Sequence, residues 1–157
     1  MSPTRASEER VAHLAAELAA CLPALHRALD RRVAGEYPHP KPPEGQLALL
    51  RHVARHEGAT VGEAASALLM KPNNVSALVS QLIERGELER RQDPADKRIA
   101  HLHLTAVSRR RIAEVRALEE RLLGEALRSV TDGELDALGS ALGALKALPG
   151  HLHAATR

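Results

Sequence analysis

Residues 90–105 read RRQDPADKRIAHLHLT. Four cations (Arg90, Arg91, Lys97 and Arg98) and two aspartates surround Pro94, after which Ala100, Leu102 and Leu104 alternate with polar partners. Alternation at every second residue is the pattern of a half-buried strand, and Asp93-Pro94-Ala95-Asp96 is turn chemistry. With Leu88 on the near side, two short strands are predicted around a charged turn. Nearly every other pattern in the chain is helical, so a basic hairpin needs a reason to be there.

The residues just before it supply one. In PNNVSALVSQLIERG (72–86) the proline suits a first helical turn and Gly86 a stop. Val75, Leu78, Val79, Leu82 and Ile83 form one stripe, leaving Asn73, Asn74, Ser76, Ala77, Ser80 and Gln81 on the opposite face. A solvent-facing helix ordinarily favours Lys and Glu, which are better helix formers than Asn and Ser. An uncharged amide and hydroxyl face suits base edges: Asn and Gln pair with adenine N6 and N7, Ser serves several bases, and the Ala77 methyl suits a thymine methyl. Upstream, Thr60 and Glu63 in TVGEAASALL form a capping box, so a short helix precedes the break at Met70-Lys71. Two short helices across a tight break, then a basic hairpin, make the order of a winged helix. Arg90, Arg91 and Lys97 suit phosphate, Arg98 suits a narrow minor groove or phosphate, and Asp96 is placed to orient Arg98.

Helices flank this module. Val11, Leu14, Leu18, Cys21, Leu22, Leu25, Leu29 and Val33 recur at helical spacing across residues 6–33, with Pro23 expected to kink the helix. Residues 35–45 hold four prolines and two glycines and read as a connector. A helix follows in GQLALLRHVARHEG, closed by Gly58, another from Thr105 to about residue 129, and a last one behind the capping box TDGE, with Leu135, Leu138, Leu142, Leu145 and Leu148 on one face. The predicted fold class is mostly α with a small β-hairpin wing.

Length and composition agree. The chain has 157 residues, enough for one folding unit, and Tyr37 is its single aromatic ring, so the core must be aliphatic and stacking platforms for single-stranded nucleic acid are absent. Net charge is only +2, yet residues 71–111 carry nine Lys or Arg against five Asp or Glu, a local surplus expected of a face that meets a polyanion. The charged N-terminus, the lone Cys21 and the lack of an apolar run of about 18 residues predict a cytoplasmic protein.

These residues resemble the MarR-type (multiple antibiotic resistance regulator) winged-helix transcription factors. The resemblance rests on Asp96-Lys97-Arg98 followed by a short strand and Leu104-Thr105, preceded by KPNNVSALVSQLIERGELERR. It implies a homodimer on a palindromic double-stranded DNA operator, with 46–105 as the DNA-binding lobe and 6–34 and 106–149 as dimerisation helices in a single unit spanning 1–157. By position it makes Arg98 the wing residue, Asp96 its partner and Asn73, Asn74, Ser76, Ala77, Ser80 and Gln81 the groove-facing set. Lys71, Arg90, Arg91 and Lys97 are phosphate candidates. Lys71 stands where such proteins often have a capping Ser, so that cap bond is expected to be missing. Many relatives release DNA when a small effector enters a cleft between the two parts. Here the dearth of aromatic rings argues against a stacking pocket and leaves an aliphatic one.

Other functional classes fit these residues less well. Some relatives sense oxidants through a cysteine on the first helix, but Cys21 falls in the apolar stripe and is expected to be buried and structural. The nine histidines match no zinc-ligand spacing, so no metal or other cofactor is expected, and His101 and His103 are placed on the outer face of the wing. No phosphate loop, nucleophile elbow or carboxylate pair points to an enzyme. The competing class is a helical interaction module whose basic hairpin docks on an acidic protein.

Overall fold

Both capping boxes form. Thr60 Oγ1 accepts the Glu63 N–H at 3.2 Å while the Glu63 carboxylate accepts the Thr60 N–H at 2.7 Å. Thr131 and Glu134 repeat the exchange at 3.3 and 2.8 Å. Each box satisfies N–H groups that a helix start leaves bare. The same hydrogen bonds hold both glutamates below the usual carboxylate range.

The computed structural model describes residues 5–154. Along the chain come α1 (Arg5–Glu36), α2 (Glu44–Arg55), α3 (Val61–Leu68), α4 (Pro72–Glu84), β1 (Leu88–Gln92), β2 (Ala100–Leu104), α5 (Ala106–Leu127) and α6 (Asp132–Ala154). The fold is mostly helical with one two-stranded antiparallel hairpin, as the sequence predicts. The side chain of His153 lies outside what is described.

The chain divides into two compact units, Met1–Pro40 and Lys41–Arg157. In the first, α1 continues through Pro23, and Val11, Leu14, Leu22 and Leu25 of its stripe are exposed. Cys21 is exposed as well, which corrects the expected burial: its neighbours on the stripe, Leu22 and Leu25, are exposed with it.

In the second unit, Leu49, Leu50 and Val53 of α2, Ala64 and Ala65 of α3, Val75, Val79 and Leu82 of α4, and Leu88, Leu102 and Leu104 of the hairpin form one aliphatic core. Ile112 of α5 packs against it. Burying a leucine contributes about 1.5–3 kcal/mol relative to leaving it in water, so the hairpin is held by its three leucines and its charged tip is free for other uses. Leu88 lies opposite Leu104 and Arg90 opposite Leu102, while Glu89 faces His103 and Arg91 faces His101. Since successive strand residues point to opposite faces, Arg90 and Arg91 diverge.

The break between α3 and α4 is made by Leu69, left-handed at φ 56°, with the Met70 N–H donating to the Ala65 carbonyl at 3.0 Å. After α4, Gly86 adopts φ 68° and the Glu87 N–H reaches the Leu82 carbonyl at 2.8 Å. Thr105 closes the lobe, donating its hydroxyl to the Gly86 carbonyl at 2.9 Å and accepting the Ser108 N–H at 3.2 Å to cap α5. A left-handed conformation costs a non-glycine residue about 1–2 kcal/mol. Chemical denaturation should therefore show Leu69→Gly raising stability by up to about 1 kcal/mol and Gly86→Ala lowering it by about 1–2 kcal/mol.

Candidate nucleic-acid interface

The outward side of α4 is the expected one. Asn73, Asn74, Ala77, Ser80 and Gln81 are exposed and Ser76 is half-buried, while Val75, Val79 and Leu82 carry the helix into the core. Lys71 occupies the cap position without a side-chain cap bond, its carbonyl accepting the Asn74 and Val75 N–H groups at 3.0 and 3.2 Å. The face is not wholly uncommitted. Ser80 donates its hydroxyl to the Ser76 carbonyl at 3.0 Å, leaving oxygen lone pairs outward, and Gln81 Oε1 accepts from Gln46 Nε2 at 2.9 Å.

The wing tip is built on two aspartates. Asp93 Oδ1 accepts the Ala95 and Asp96 N–H groups at 2.8 and 3.0 Å, and the Asp93 N–H reaches the Ile99 carbonyl at 2.9 Å. The chain therefore reverses tightly and brings Asp96 beside Arg98. Asp96 Oδ1 accepts the Arg98 N–H and Nε–H at 3.0 and 3.1 Å, and Oδ2 accepts from the terminal guanidinium nitrogen at 3.0 Å. This two-toothed fork fixes a side chain that is 91% exposed. It also lowers the Asp96 pKa and raises that of Arg98, so both stay charged.

The other cations differ. Arg91 donates to Glu89 at 3.2 Å, an exposed pair across one strand face. Among the described residues Lys71, Arg90 and Lys97 form no ion pair, so their charge is unspent. Uncharged hydrogen-bonding groups on a helix, with free and pre-oriented cations on the hairpin that follows, suit a polyanion that also carries base edges.

Comparison with known proteins agrees with that geometry. A model of the MarR family matches residues 41–99. A MarR family transcription regulator, SP03579, shares 26% identity and a TM-score of 0.70, covering 94% of this chain and 97% of its own. Over residues 41–99 the chain is similar to the MarR family. The fold is shared with a MarR family protein from Bacillus stearothermophilus (TM-score 0.76, 23% identity, 91% and 97% covered) and with Streptococcus pneumoniae FabT, solved in complex with DNA (TM-score 0.72, 15% identity, 92% and 99% covered). No curated protein sequence matches.

Two features of this lobe escape sequence reasoning. His101 and His103 do not cover an outer face of the wing: the outward side of β2 turns toward the α2–α3 connection. His101 bridges the Gly58 carbonyl at 2.6 Å and Asp93 Oδ2 at 3.0 Å, and His103 meets Glu57 Oε1 at 3.0 Å, which Arg109 also reaches at 3.1 Å. The second feature is the contact of Gln46 with Gln81. The His101–Gly58 and Gln46–Gln81 contacts each span more than thirty positions of sequence, and no local pattern announces them.

Both partners of His101 are pure acceptors, so only the imidazolium, with two N–H donors, satisfies both. The Asp93 and Gly58 hydrogen bonds raise its pKa above 6.5, with Glu63 of α3 adding to the effect. Arg91 lies opposite on β1, and Asp93 is held ionised by the same contact and by the turn N–H groups. A raised native pKa stabilises fully below the unfolded value and is lost as pH rises through the native one. The gap in denaturation midpoint between wild type and His101→Phe should thus be larger at about pH 6 than at about pH 8.5, a comparison in which His103 and Glu57 are common to both.

Proposed function

We propose that this chain is a homodimeric transcriptional repressor that blocks a promoter by occupying an inverted-repeat duplex operator. The observation that carries the reading is the pairing of an exposed, uncharged α4 face with the Asp96-oriented Arg98 on the wing that follows it. In this reading Asn73, Asn74, Ser76, Ala77, Ser80 and Gln81 face the major groove, Arg98 reaches the minor groove or its phosphates, and Lys71, Arg90, Arg91 and Lys97 meet phosphate. The complex of FabT with DNA, on the same fold, supports it.

Dimerisation is supported by apolar surface. Val11, Leu14, Leu22 and Leu25 on α1 and Leu135, Leu138, Leu142 and Leu148 on α6 are between 37% and 65% exposed, in rows that water would have to wet in a single chain. A Cβ added at Gly139 or Gly143 would meet nothing within 4 Å beyond its own helix among the described residues, which leaves α6 open to close approach by another helix. Residues 46–105 then form the DNA-binding lobe, with 6–34 and 106–149 making the dimer. A two-fold axis places the recognition helices about one DNA turn, roughly 34 Å, apart.

Relief by a small effector has a place to act. A cleft of about 760 Å³ lies between α2 and α5, with an aliphatic floor of Ala54, Leu104, Ile112 and Leu123. Arg51, Arg109 and Arg116 on its walls are paired with Glu119, Glu57 and Glu120, whereas Arg55 forms no ion pair among the described residues. That chemistry suits an aliphatic or compact anion. It does not rest on ring stacking.

Selection of bound sequences from random duplex DNA should enrich an inverted repeat with half-sites about one turn apart; a pool with no enriched repeat would refute the repressor reading. On that operator, Arg98→Ala should weaken binding and reduce the slope of log affinity against log salt by about one phosphate-equivalent. Unchanged affinity and slope would remove Arg98 from the contact set.

A further inference from the structure

Gln46 is a buried polar residue at the start of α2, only 7% exposed, and its amide is bonded at both ends. Its oxygen accepts from an Arg85 guanidinium nitrogen at 3.0 Å, and its nitrogen donates to Gln81 Oε1 at 2.9 Å. Arg85 is anchored in turn, with its Nε 3.1 Å from the Glu87 carboxylate, and Glu87 is 8% exposed. The direction of this relay is not arbitrary. A guanidinium has no acceptor, so the atom of Gln46 facing Arg85 must be its oxygen. The atom facing Gln81 is then the amide nitrogen, which can only donate, and Gln81 must answer with its oxygen.

We propose that Gln46 is a positioning residue that turns Gln81 so that its amide N–H donors, and not its oxygen, face the major groove. The inference rests on the proposed placement of α4 in that groove. A glutamine with both ends free pairs with adenine by accepting from N6 and donating to N7. Here the carbonyl of Gln81 is directed at a buried partner, and the –NH2 is the end left for a base. Two N–H donors side by side match guanine, whose N7 and O6 are adjacent acceptors, and do not match the donor that adenine presents at N6. The base pair under Gln81 is therefore read as guanine, by a residue whose type alone points to adenine.

The test compares sequences selected from random duplex DNA by the full-length wild type, Gln81→Ala and Gln46→Glu. Enrichment of an inverted repeat by the wild type tests the DNA-binding reading itself; failure there sinks that reading before this one is reached. Given a repeat, Gln81→Ala should lose preference at one base pair per half-site, identifying the pair it reads, and wild type should hold guanine there. In Gln46→Glu the carboxylate still accepts from Arg85 but cannot donate, so the Gln81 amide turns over and presents its oxygen. Preference for guanine at that one pair should fall on the order of tenfold and move to adenine or cytosine, whose exocyclic amines donate, while the other positions keep their preferences. A merely structural role for Gln46 would weaken all positions together. If Gln46→Glu does not fold, Gln46→Ala frees the Gln81 amide, and discrimination of guanine from adenine at that pair should collapse. Adenine in the wild-type site, no pair that responds to Gln81→Ala, or a guanine preference untouched by the Gln46 variants would each overturn the proposal.

Discussion

The lobe depends on three leucines of the hairpin. Leu88, Leu102 and Leu104 enter the same aliphatic core as α2, α3 and α4, and because that seam is apolar it makes no demand on the charged residues beyond it. The tip can then be organised by its own short-range chemistry. Asp93 gathers two backbone N–H groups, the chain reverses, and Asp96 comes to hold Arg98 by a fork. Core and charge are divided along one strand pair, which is how a chain with a net charge of +2 concentrates cations where they can meet a polyanion.

Much of this was legible in the residues because it is governed by local rules. A Thr with a Glu three positions on fixes where α3 and α6 begin, Pro72 starts α4, Gly86 stops it, and alternation of period two marks the strands. Asp96 and Arg98 are two residues apart, so their pairing is also a local matter. The same holds for the missing cap at Lys71. Burial of Cys21 was misread for a related reason. A helical stripe says which residues share a face, and it does not say whether the same chain supplies the cover. On α1 Cys21 and its stripe neighbours Leu22 and Leu25 are exposed.

What was not legible is long-range and polar. His101 and His103 look like solvent-facing strand residues, yet both turn to the connection between α2 and α3, where Gly58 and Glu57 accept their N–H groups, while Asp93 of the wing turn takes the other N–H of His101. Gln46 looks like an ordinary polar residue of a helix start and is buried against Gln81 and Arg85. Buried polar groups must find partners, so such contacts are mandatory once the helices pack, but which partner is chosen depends on the packing itself. They also change the meaning of the surface. An amide whose oxygen is already engaged offers a different pattern of donors and acceptors from a free one, and a histidine that bridges two acceptors ties the wing turn to the α2–α3 connection.

In the proposed function, two such lobes grip one duplex through α4 and the wing about a common two-fold axis. Hydroxyl-radical footprinting of the full-length chain on a selected operator tests it most directly. The expected pattern is protection in two symmetric blocks about one helical turn apart, each bordered by protected sugars in the flanking minor groove where the wing lies. A single block without symmetry, or a uniform footprint with no minor-groove flank, would contradict it.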